Sequence, residues 1–214
     1  MLSIKKFTFN PFQENTYIIY DETKECIIID PGCYDKSEKL ALSNFITEQS
    51  LKPVYLLNTH CHLDHVLGNR YVFEQYQLKP RIHEKEEMLL NAAQEYGKMY
   101  GIFMEGSPEP IIDLEANTEI KFGTTTLKIL FTPGHSPGSV CFYSVADAQI
   151  IAGDVLFKQS IGRTDLPGGS MEQLIESIRT QLLELDDNTE IHPGHGDKTS
   201  IGFERNNNPF ILSY

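Results

Sequence analysis

Three of the seven histidines in this chain stand close together in the stretch THCHLDH. The stretch follows an apolar segment that predicts a strand, and it places His60, His62 and His65 around Asp64. In an extended segment, residues two apart point the same way, so His60 and His62 can reach one metal ion. Asp64 and His65 fall where the chain turns towards a helix, and we expect them to point elsewhere. The cluster therefore offers ligands to two ions side by side.

Three later loops offer the ligands that this cluster lacks. They present His135 in TPGHSPGS, Asp154 in IIAGDVLF and His195 in HPGHGDK. Glycines beside both histidines let the backbone approach closely, and the two oxygens of Asp154 allow it to bridge two ions. Three ligands and an open position suit a catalytic zinc ion, and two ions about 3.5–4 Å apart can share a hydroxide. The predicted ligand sets are His60, His62 and His135 for one ion, and Asp64, His65 and His195 for the other.

Other reactive side chains do not fit this ligand spacing. His83 and His192 lie in or at the end of short predicted strands, and we expect ordinary hydrogen-bonded roles for them. Cys61 stands between two ligands and would point away from both, which favours a small buried thiol. Cys33 follows a Pro-Gly turn and has no assigned role. Asp30 either holds a ligand histidine in one tautomer or caps a turn.

Composition and charge exclude several classes of partner. The chain has 214 residues, 40% of them hydrophobic, which suits one globular domain over 1–214. Its formal net charge of −12 opposes contact with nucleic acid and with anionic membrane surfaces, and we expect neither as a partner. The N-terminus lacks the pattern of a signal peptide, and no apolar run reaches membrane-spanning length, so we expect a cytoplasmic protein. The four cysteines form no CxxC pair and are expected to be reduced.

Apolar periodicity predicts strands and helices in two groups. Strands are predicted over 3–9, 15–21, 25–30, 53–59, 80–83, 118–123, 126–132, 139–145, 149–154 and 189–192. Helices are predicted over 35–50, 65–76, 84–100 and 169–185. Strands in two groups, each followed by helices, predict two sheets packed together with helices outside.

Local signals add detail to three of these segments. Asp35 with Glu38, and Ser170 with Gln173, predict capping boxes at two helix starts. The first helix is expected to bury Ala41, Leu42, Phe45 and Ile46. The segment 95–110 is rich in Gly and Pro, and its aromatic residues either cover the site or only pack. Those residues are Tyr96, Tyr100 and Phe103.

The motifs resemble those of a known superfamily. THCHLDH fits the HxHxDH motif of the metallo-β-lactamase-fold hydrolases, and DPG, TPGHSPGS, AGDVLF and HPGHG stand in that superfamily's order. The resemblance covers nearly the whole chain. It implies an α+β fold of four layers, an αββα sandwich, with the metal site at one edge.

Within the superfamily, the chain is similar to the glyoxalase II group, the hydroxyacylglutathione hydrolases. The segment GDVLFKQSIGRTDLPGGS carries this similarity. It implies that Arg163 helps to hold the glutathione part of a substrate, with Lys158 as a second basic candidate. The alternative for each is a solvated charge or a structural ion pair. The chain ends soon after His195, without the helical extension that adds glutathione contacts in full-length enzymes, and so resembles the short single-domain form.

The resemblance implies hydrolysis of a thioester, with S-lactoylglutathione as the reference substrate. In that reaction two divalent ions would supply a hydroxide for attack on the carbonyl, since metal binding lowers the pKa of water towards about 7. Asp64 would act catalytically by orienting that hydroxide. Zinc is the expected metal, with iron and manganese as alternatives because similar ligands bind all three. The sequence assigns no oligomeric state.

Three other functions stay open from the sequence. A persulfide dioxygenase shares this fold and the stretch GRTD, and it would hold one iron through His60 or His62, His135 and Asp154. A hydrolase of another bond, such as a lactone, β-lactam or phosphoester, would use the same ligands. A metal-binding protein without catalysis is the fourth hypothesis, which the complete ligand set disfavours.

Overall fold

The structure is a computed structural model, and it describes residues 1–213. The chain forms two compact units. The first comprises Met1–Asp113 and Lys121–Thr125, and the second comprises Leu114–Ile120 and the described residues from Thr126 onward. No helix within residues 1–213 has the length and apolar character needed to cross a lipid bilayer.

The first unit is built on a six-stranded mixed sheet. Its strands, in spatial as well as chain order, are β1 (Ser3–Phe9), β2 (Glu14–Tyr20), β3 (Glu25–Ile29), β4 (Lys52–Leu57), β5 (Pro80–Ile82) and β6 (Ile111–Ile112). The first three pair antiparallel, and β3 to β6 pair parallel. The apolar run of β3 is buried throughout Cys26–Ile29, as expected for a strand covered on both faces.

Four helices complete this unit. They are α1 (Lys36–Glu48), α2 (Leu63–Val66), α3 (Asn69–Tyr76) and α4 (Glu87–Met99). The capping box that begins α1 is confirmed, since Asp35 accepts from the Glu38 amide and Glu38 accepts from the Asp35 amide. Leu42 and Ile46 of α1 pack into a core with residues of β1 to β4 and α3.

Most of the other six-stranded sheet belongs to the second unit, the exceptions being Lys121, Phe122 and Thr125. Its strands are β7 (Glu119–Phe122), β8 (Thr125–Phe131), β9 (Val140–Ser144), β10 (Gln149–Gly153), β13 (Glu190–Pro193) and β14 (Thr199–Ser200), in the spatial order β14-β13-β10-β9-β8-β7. A small hairpin adds β11 (Leu156–Phe157) and β12 (Ser160–Ile161). The helices are α5 (Met171–Ser177), extended by a π-helical segment Ile178–Leu182, then α6 (Ile201–Asn207) and α7 (Pro209–Leu212). The two sheets confirm the predicted grouping of strands.

The structure corrects two of the predicted helices. Ala41 is exposed, and the buried face of α1 is the i, i+4 pair Leu42 and Ile46, with Phe45 half-buried. The single helix predicted over 65–76 is two helices, α2 and α3. They separate at Gly68, where a Cβ would lie 2.5 Å from Cys33 Sγ. The Gly68 amide donates to Pro31 O at 2.6 Å, and this close approach breaks the helix.

Asp21 ties two turns of the first unit together. Its carboxylate accepts from the Thr23 and Thr124 amides at 2.9 and 2.7 Å and from the Thr125 hydroxyl at 3.0 Å. Burial raises the pKa of Asp21, but a hydrogen bond of 2.5 Å from the Thr23 hydroxyl, together with these others, outweighs it and lowers the pKa to about 2. The ionised carboxylate therefore stabilises the fold above the unfolded-state pKa of about 3.9, and this contribution is lost as the pH falls towards about 2.

We expect Asp21→Asn to lower the free energy of unfolding by about 1–3 kcal/mol at pH 7, because buried donors lose an acceptor. The difference from the wild type should shrink as the pH falls from about 4 to about 2, where the wild-type carboxylate gains a proton. Urea unfolding at several pH values measures this, with exposed Glu115→Gln as the control. A difference that does not change with pH would contradict the assignment.

Candidate metal centre

The loop after β4 brings four of the predicted ligands together. The ring centroids of His60 and His62 lie 4.8 Å apart, and those of His60 and His65 lie 4.1 Å apart. Asp64 Oδ2 is 3.7 Å from His65 Nε2. His60 and His65 are buried, whereas His62 and Asp64 are half-buried. Clustered imidazoles with a carboxylate beside them form a donor set suited to zinc and to similar divalent metals.

Asp30 fixes the protonation of two of these histidines. Its carboxylate accepts from the Thr59 amide at 2.7 Å and from the Thr59 hydroxyl at 2.6 Å. His65 Nδ1 lies 3.1 Å from the same carboxylate, which only accepts, so Nδ1 carries the proton. Of the two roles considered for Asp30, the structure shows contact with a histidine that is a predicted ligand.

The Thr59 hydroxyl passes this constraint to His60. Because its proton points to Asp30, its oxygen accepts from His60 Nδ1, which lies 3.1 Å away. His60 and His65 therefore both carry their proton on Nδ1. Nε2 of each then carries the lone pair and is the ring atom that can bind a metal ion, as in histidines oriented by an outer hydrogen-bond partner.

The second unit brings the other three predicted ligands together. Asp154 Oδ2 lies 3.5 Å from His135 Nε2 and 3.5 Å from His195 Nε2. His135 Nδ1 donates to the Arg163 carbonyl at 2.7 Å, so Nε2 is the ring atom that can bind a metal ion. Two ligands of one tetrahedral zinc ion lie roughly 3.3–3.5 Å apart, given bond lengths of about 2.0–2.1 Å. One oxygen of Asp154 thus stands at ligand spacing from two separate histidines.

Close packing around these ligands requires glycine. Gly134, which precedes His135, has φ +136, and a Cβ there would lie 2.2 Å from the Leu174 amide nitrogen of α5. A Cβ on Gly162 would lie 1.9 Å from Asp154 O and 3.1 Å from His135 Cβ. The prediction that glycine allows close backbone approach beside His135 is confirmed at Gly134.

A sequence profile described as the metallo-β-lactamase superfamily matches residues 9–195 of this chain. The chain belongs to the metallo-β-lactamase superfamily. The match runs from β1 to His195 and includes all seven predicted ligands. This superfamily binds divalent metal ions, often two, and the histidine cluster after β4 fits such ions.

Similar proteins support a metallo-hydrolase. The probable metallo-hydrolase YqgX of Bacillus subtilis is 38% identical over 98% of this chain and 98% of its own length. Hydroxyacylglutathione hydrolase GloC of Haemophilus influenzae is 36% identical over 99% of each chain. The chain is therefore a metallo-hydrolase of this superfamily, acting on a small-molecule substrate.

Two solved structures share the fold over nearly the whole chain. The crystal structure of BLEG-1 B3 metallo-β-lactamase gives a TM-score of 0.87 at 36% identity and covers 98% of this chain and 99% of that one. The structure of TTHA1623 in a di-iron-bound form gives a TM-score of 0.87 at 35% identity and covers 96% and 99%. The predicted metallo-β-lactamase fold, of the α+β class, is confirmed.

The two predicted substrate-binding residues both lie in the second unit. The Arg163 side chain pairs with Asp165 through two contacts of 2.7 Å, and this pairing lowers the pKa of Asp165 to about 2. Both partners are exposed. Lys158 is also exposed. Arg163 therefore has two distinct contacts, since its carbonyl holds His135 while its guanidinium pairs with a carboxylate at the surface.

The remaining histidines and cysteines have structural surroundings. His83 Nδ1 accepts from the Lys85 amide at 3.2 Å, and His192 Nε2 lies 3.0 Å from Gln149 Oε1. Burial raises the pKa of Cys33 to about 12 and that of Cys61 well above its usual range, which argues against a reactive thiolate at either. All four cysteines are buried free thiols.

The segment 95–110 packs in part against residues 58–65, the loop after β4 that carries four predicted ligands and is called the ligand loop below. The end of α4 occupies its first residues, and Ile102 and Met104 are buried in a cluster with Cys61 and Leu63. Phe103 is exposed. The structure thus shows a packing role for Ile102 and Met104, whereas the aromatic Phe103 between them is exposed.

Sequence reasoning missed the side chains that hold the ligand loop by its backbone. Asn10 Nδ2 donates to Asp64 O at 3.0 Å, and Asn58 Nδ2 donates to His65 O at 3.1 Å. Glu86 Oε2 accepts from the Cys61 amide at 2.7 Å. None of these residues stands in a recognisable motif, so no local signal in the sequence identifies them.

Proposed function

We propose that this metallo-hydrolase cleaves thioesters of the S-lactoylglutathione type with two divalent ions, zinc being the expected metal. The binding of two ions is supported by one observation. Asp154 Oδ2 lies 3.5 Å from His135 Nε2 and 3.5 Å from His195 Nε2. The thioester part is supported by the likeness to GloC. The proposed ligands are His60, His62 and His135 for one ion, Asp64, His65 and His195 for the other, and Asp154 for both.

The side chains of this protein prepare the site for that chemistry. When bound, divalent ions lower the pKa of a water ligand to about 7 and polarise a carbonyl. Asp30 and the Arg163 carbonyl keep the Nε2 atoms of His65 and His135 free of protons. Asp64, half-buried beside His65, is proposed to orient the attacking water. The departing thiolate has a pKa of about 8.5, so little general-acid assistance is needed.

The metal itself remains part of the proposal. Imidazole and carboxylate ligands accept zinc, iron and manganese, and geometry and availability decide between them. TTHA1623 is described in a di-iron-bound form. Metal analysis of the protein purified from its native host, compared with zinc-reconstituted protein, distinguishes the three.

A substrate panel tests the proposed reaction. Zinc-reconstituted protein is assayed for thiol release from S-lactoylglutathione, with metal-stripped protein as the control. We expect thiol release that disappears on stripping and returns with zinc. Protein that holds two zinc ions per chain and releases no thiol would contradict the thioester assignment but leave the metal site standing.

The guanidinium of Arg163 is proposed to bind a carboxylate of glutathione in place of Asp165. Exposed ion pairs are weak, so a substrate carboxylate can displace Asp165. We expect Arg163→Ala to raise KM about tenfold with kcat little changed, since uniform binding is lost. Asp165→Ala should lower KM by freeing Arg163. Steady-state kinetics measure both, with Lys158→Ala testing the second basic residue, and an unchanged KM in Arg163→Ala would contradict the role.

Hydrolysis of β-lactams is the second candidate. It is favoured by the likeness to the BLEG-1 B3 metallo-β-lactamase, 36% identical over 98% of this chain. The chromogenic β-lactam nitrocefin, assayed on the same preparation as S-lactoylglutathione, decides between the two bonds. The persulfide dioxygenase hypothesis is tested by the iron content and by oxygen uptake on glutathione persulfide.

A further inference from the structure

The buried carboxylate of Glu86 contacts the backbone between His60 and His62, two of the proposed metal ligands. Glu86 stands at the start of α4 and is 1% exposed. Its Oε2 accepts a hydrogen bond of 2.7 Å from the amide of Cys61, the residue between His60 and His62. This contact joins residues 25 positions apart in the chain.

Burial of the Glu86 carboxylate needs compensating interactions. An ionised carboxylate inside a protein is costly unless hydrogen bonds and nearby positive charge compensate for it. The amide of Cys61 supplies a charge-assisted hydrogen bond, which is shorter and stronger than a neutral one. The N-terminus of the thirteen-residue helix α4 supplies favourable partial positive charge.

The position of the bonded amide links this contact to the ligands. The Cys61 amide nitrogen belongs to the peptide bond between His60 and Cys61. The next peptide bond joins Cys61 to His62. Fixing this amide therefore restricts the backbone dihedral angles that aim both imidazoles. Metal sites need their ligands within about 0.5 Å of the productive geometry, and outer hydrogen bonds supply that precision.

Hydrophobic packing holds the helix separately from this contact. Leu89, Leu90 and Ala93 of α4 pack in one cluster with Cys61 and Leu63. Helix α4 therefore stays against the ligand loop without the carboxylate. Packing maintains the contact between α4 and the ligand loop, and the hydrogen bond from the Cys61 amide to Glu86 orients the backbone of that loop.

We propose that Glu86 is a positioning residue for His60 and His62, acting through the Cys61 amide. The inference rests on the proposed metal site, since it assigns Glu86 to the ion that these two histidines bind. It predicts that the acceptor oxygen, more than the negative charge, sets metal affinity at this position. Gln can keep an acceptor in the same place, whereas Ala cannot.

Cobalt(II) binding to the metal-stripped protein tests this. Its dissociation constant and visible absorption report affinity and ligand geometry without any assay of turnover. We expect Glu86→Ala to weaken cobalt binding about 10–100-fold and to alter the spectrum, as loss of an outer hydrogen-bond partner does. Glu86→Gln should stay within about threefold of the wild type and keep its spectrum. The matched control is Glu84→Ala, an exposed glutamate two residues earlier.

The outcomes separate the two proposals. A wild-type protein that binds no cobalt would overturn the metal site itself. Wild-type affinity and spectrum in Glu86→Ala would overturn the role of Glu86 alone, and so would equal losses in Glu86→Ala and Glu86→Gln. Should Glu86→Ala fail to fold, Glu86→Asp provides the test, because its shorter side chain keeps the charge but withdraws the oxygen. We expect weakened cobalt binding there too, and wild-type binding would overturn the role.

Discussion

Replacement of Asp154 by alanine is expected to remove metal and turnover together. Its Oδ2 lies 3.5 Å from both His135 Nε2 and His195 Nε2, and we propose that this side chain is shared by two ions. Loss of an outer hydrogen-bond partner costs about 10–100-fold in metal affinity or activity, and loss of a shared ligand should cost more. Metal content and turnover, measured on the same sample, are expected to fall in parallel.

The control for this change is Asp197→Ala. Asp197 is exposed, stands two residues after His195 and carries the same charge. We expect its replacement to leave metal content and turnover near wild type. Retention of both metals and activity in Asp154→Ala would exclude the bridging role, and loss of activity with full metal content would assign Asp154 to another step.

The second large effect is expected at Asp30, which touches no proposed substrate position. Asp30→Asn keeps the size of the side chain but replaces one accepting oxygen with a donor. In the wild type, the Asp30 carboxylate accepts from the Thr59 amide, the Thr59 hydroxyl and His65 Nδ1. The side-chain amide introduced by Asp30→Asn has one accepting oxygen and cannot accept from all three donors. His65 then loses its fixed tautomer, and His60 loses it through Thr59.

We expect Asp30→Asn to weaken metal binding about 10–100-fold. The free energy of unfolding of the metal-free protein should fall by about 1–3 kcal/mol, because a buried donor is left unsatisfied. Titration with zinc and urea unfolding measure the two effects. Thr59→Ser keeps the hydroxyl and is the control. An Asp30→Asn protein with wild-type zinc affinity would show that the tautomers are held by other contacts.

The sequence predicted most of the strands because they depend on local patterns, and the predicted ligand set rests on equally local motifs but stays a prediction. THCHLDH is readable at short range, and the buried run of β3 follows from β-branched residues. The boundaries of β1 and the capping box of α1 match for the same reason. That 1–214 forms one domain stays a prediction, and Tyr214 lies outside the described residues.

Contacts distant in sequence explain what was missed. The break at Gly68 depends on Pro31 and Cys33, which lie on another part of the chain. Asn10 reaches Asp64 across 54 positions, and no pattern around either residue indicates the contact. Helix α6 was not predicted because its sequence contains a glycine. Its buried Glu204 accepts a hydrogen bond of 2.8 Å from the distant Gln159 amide. Such partners exist only once the backbone has folded.

We propose that two bound ions support hydrolysis of a thioester by this protein. The most direct measurement is the rate of S-lactoylglutathione hydrolysis as metal-stripped protein is titrated with zinc, with bound metal counted at each step. We predict that activity requires both ions and reaches its maximum at about two zinc ions per chain. Maximum activity at one ion, or two bound ions without hydrolysis, would contradict the account.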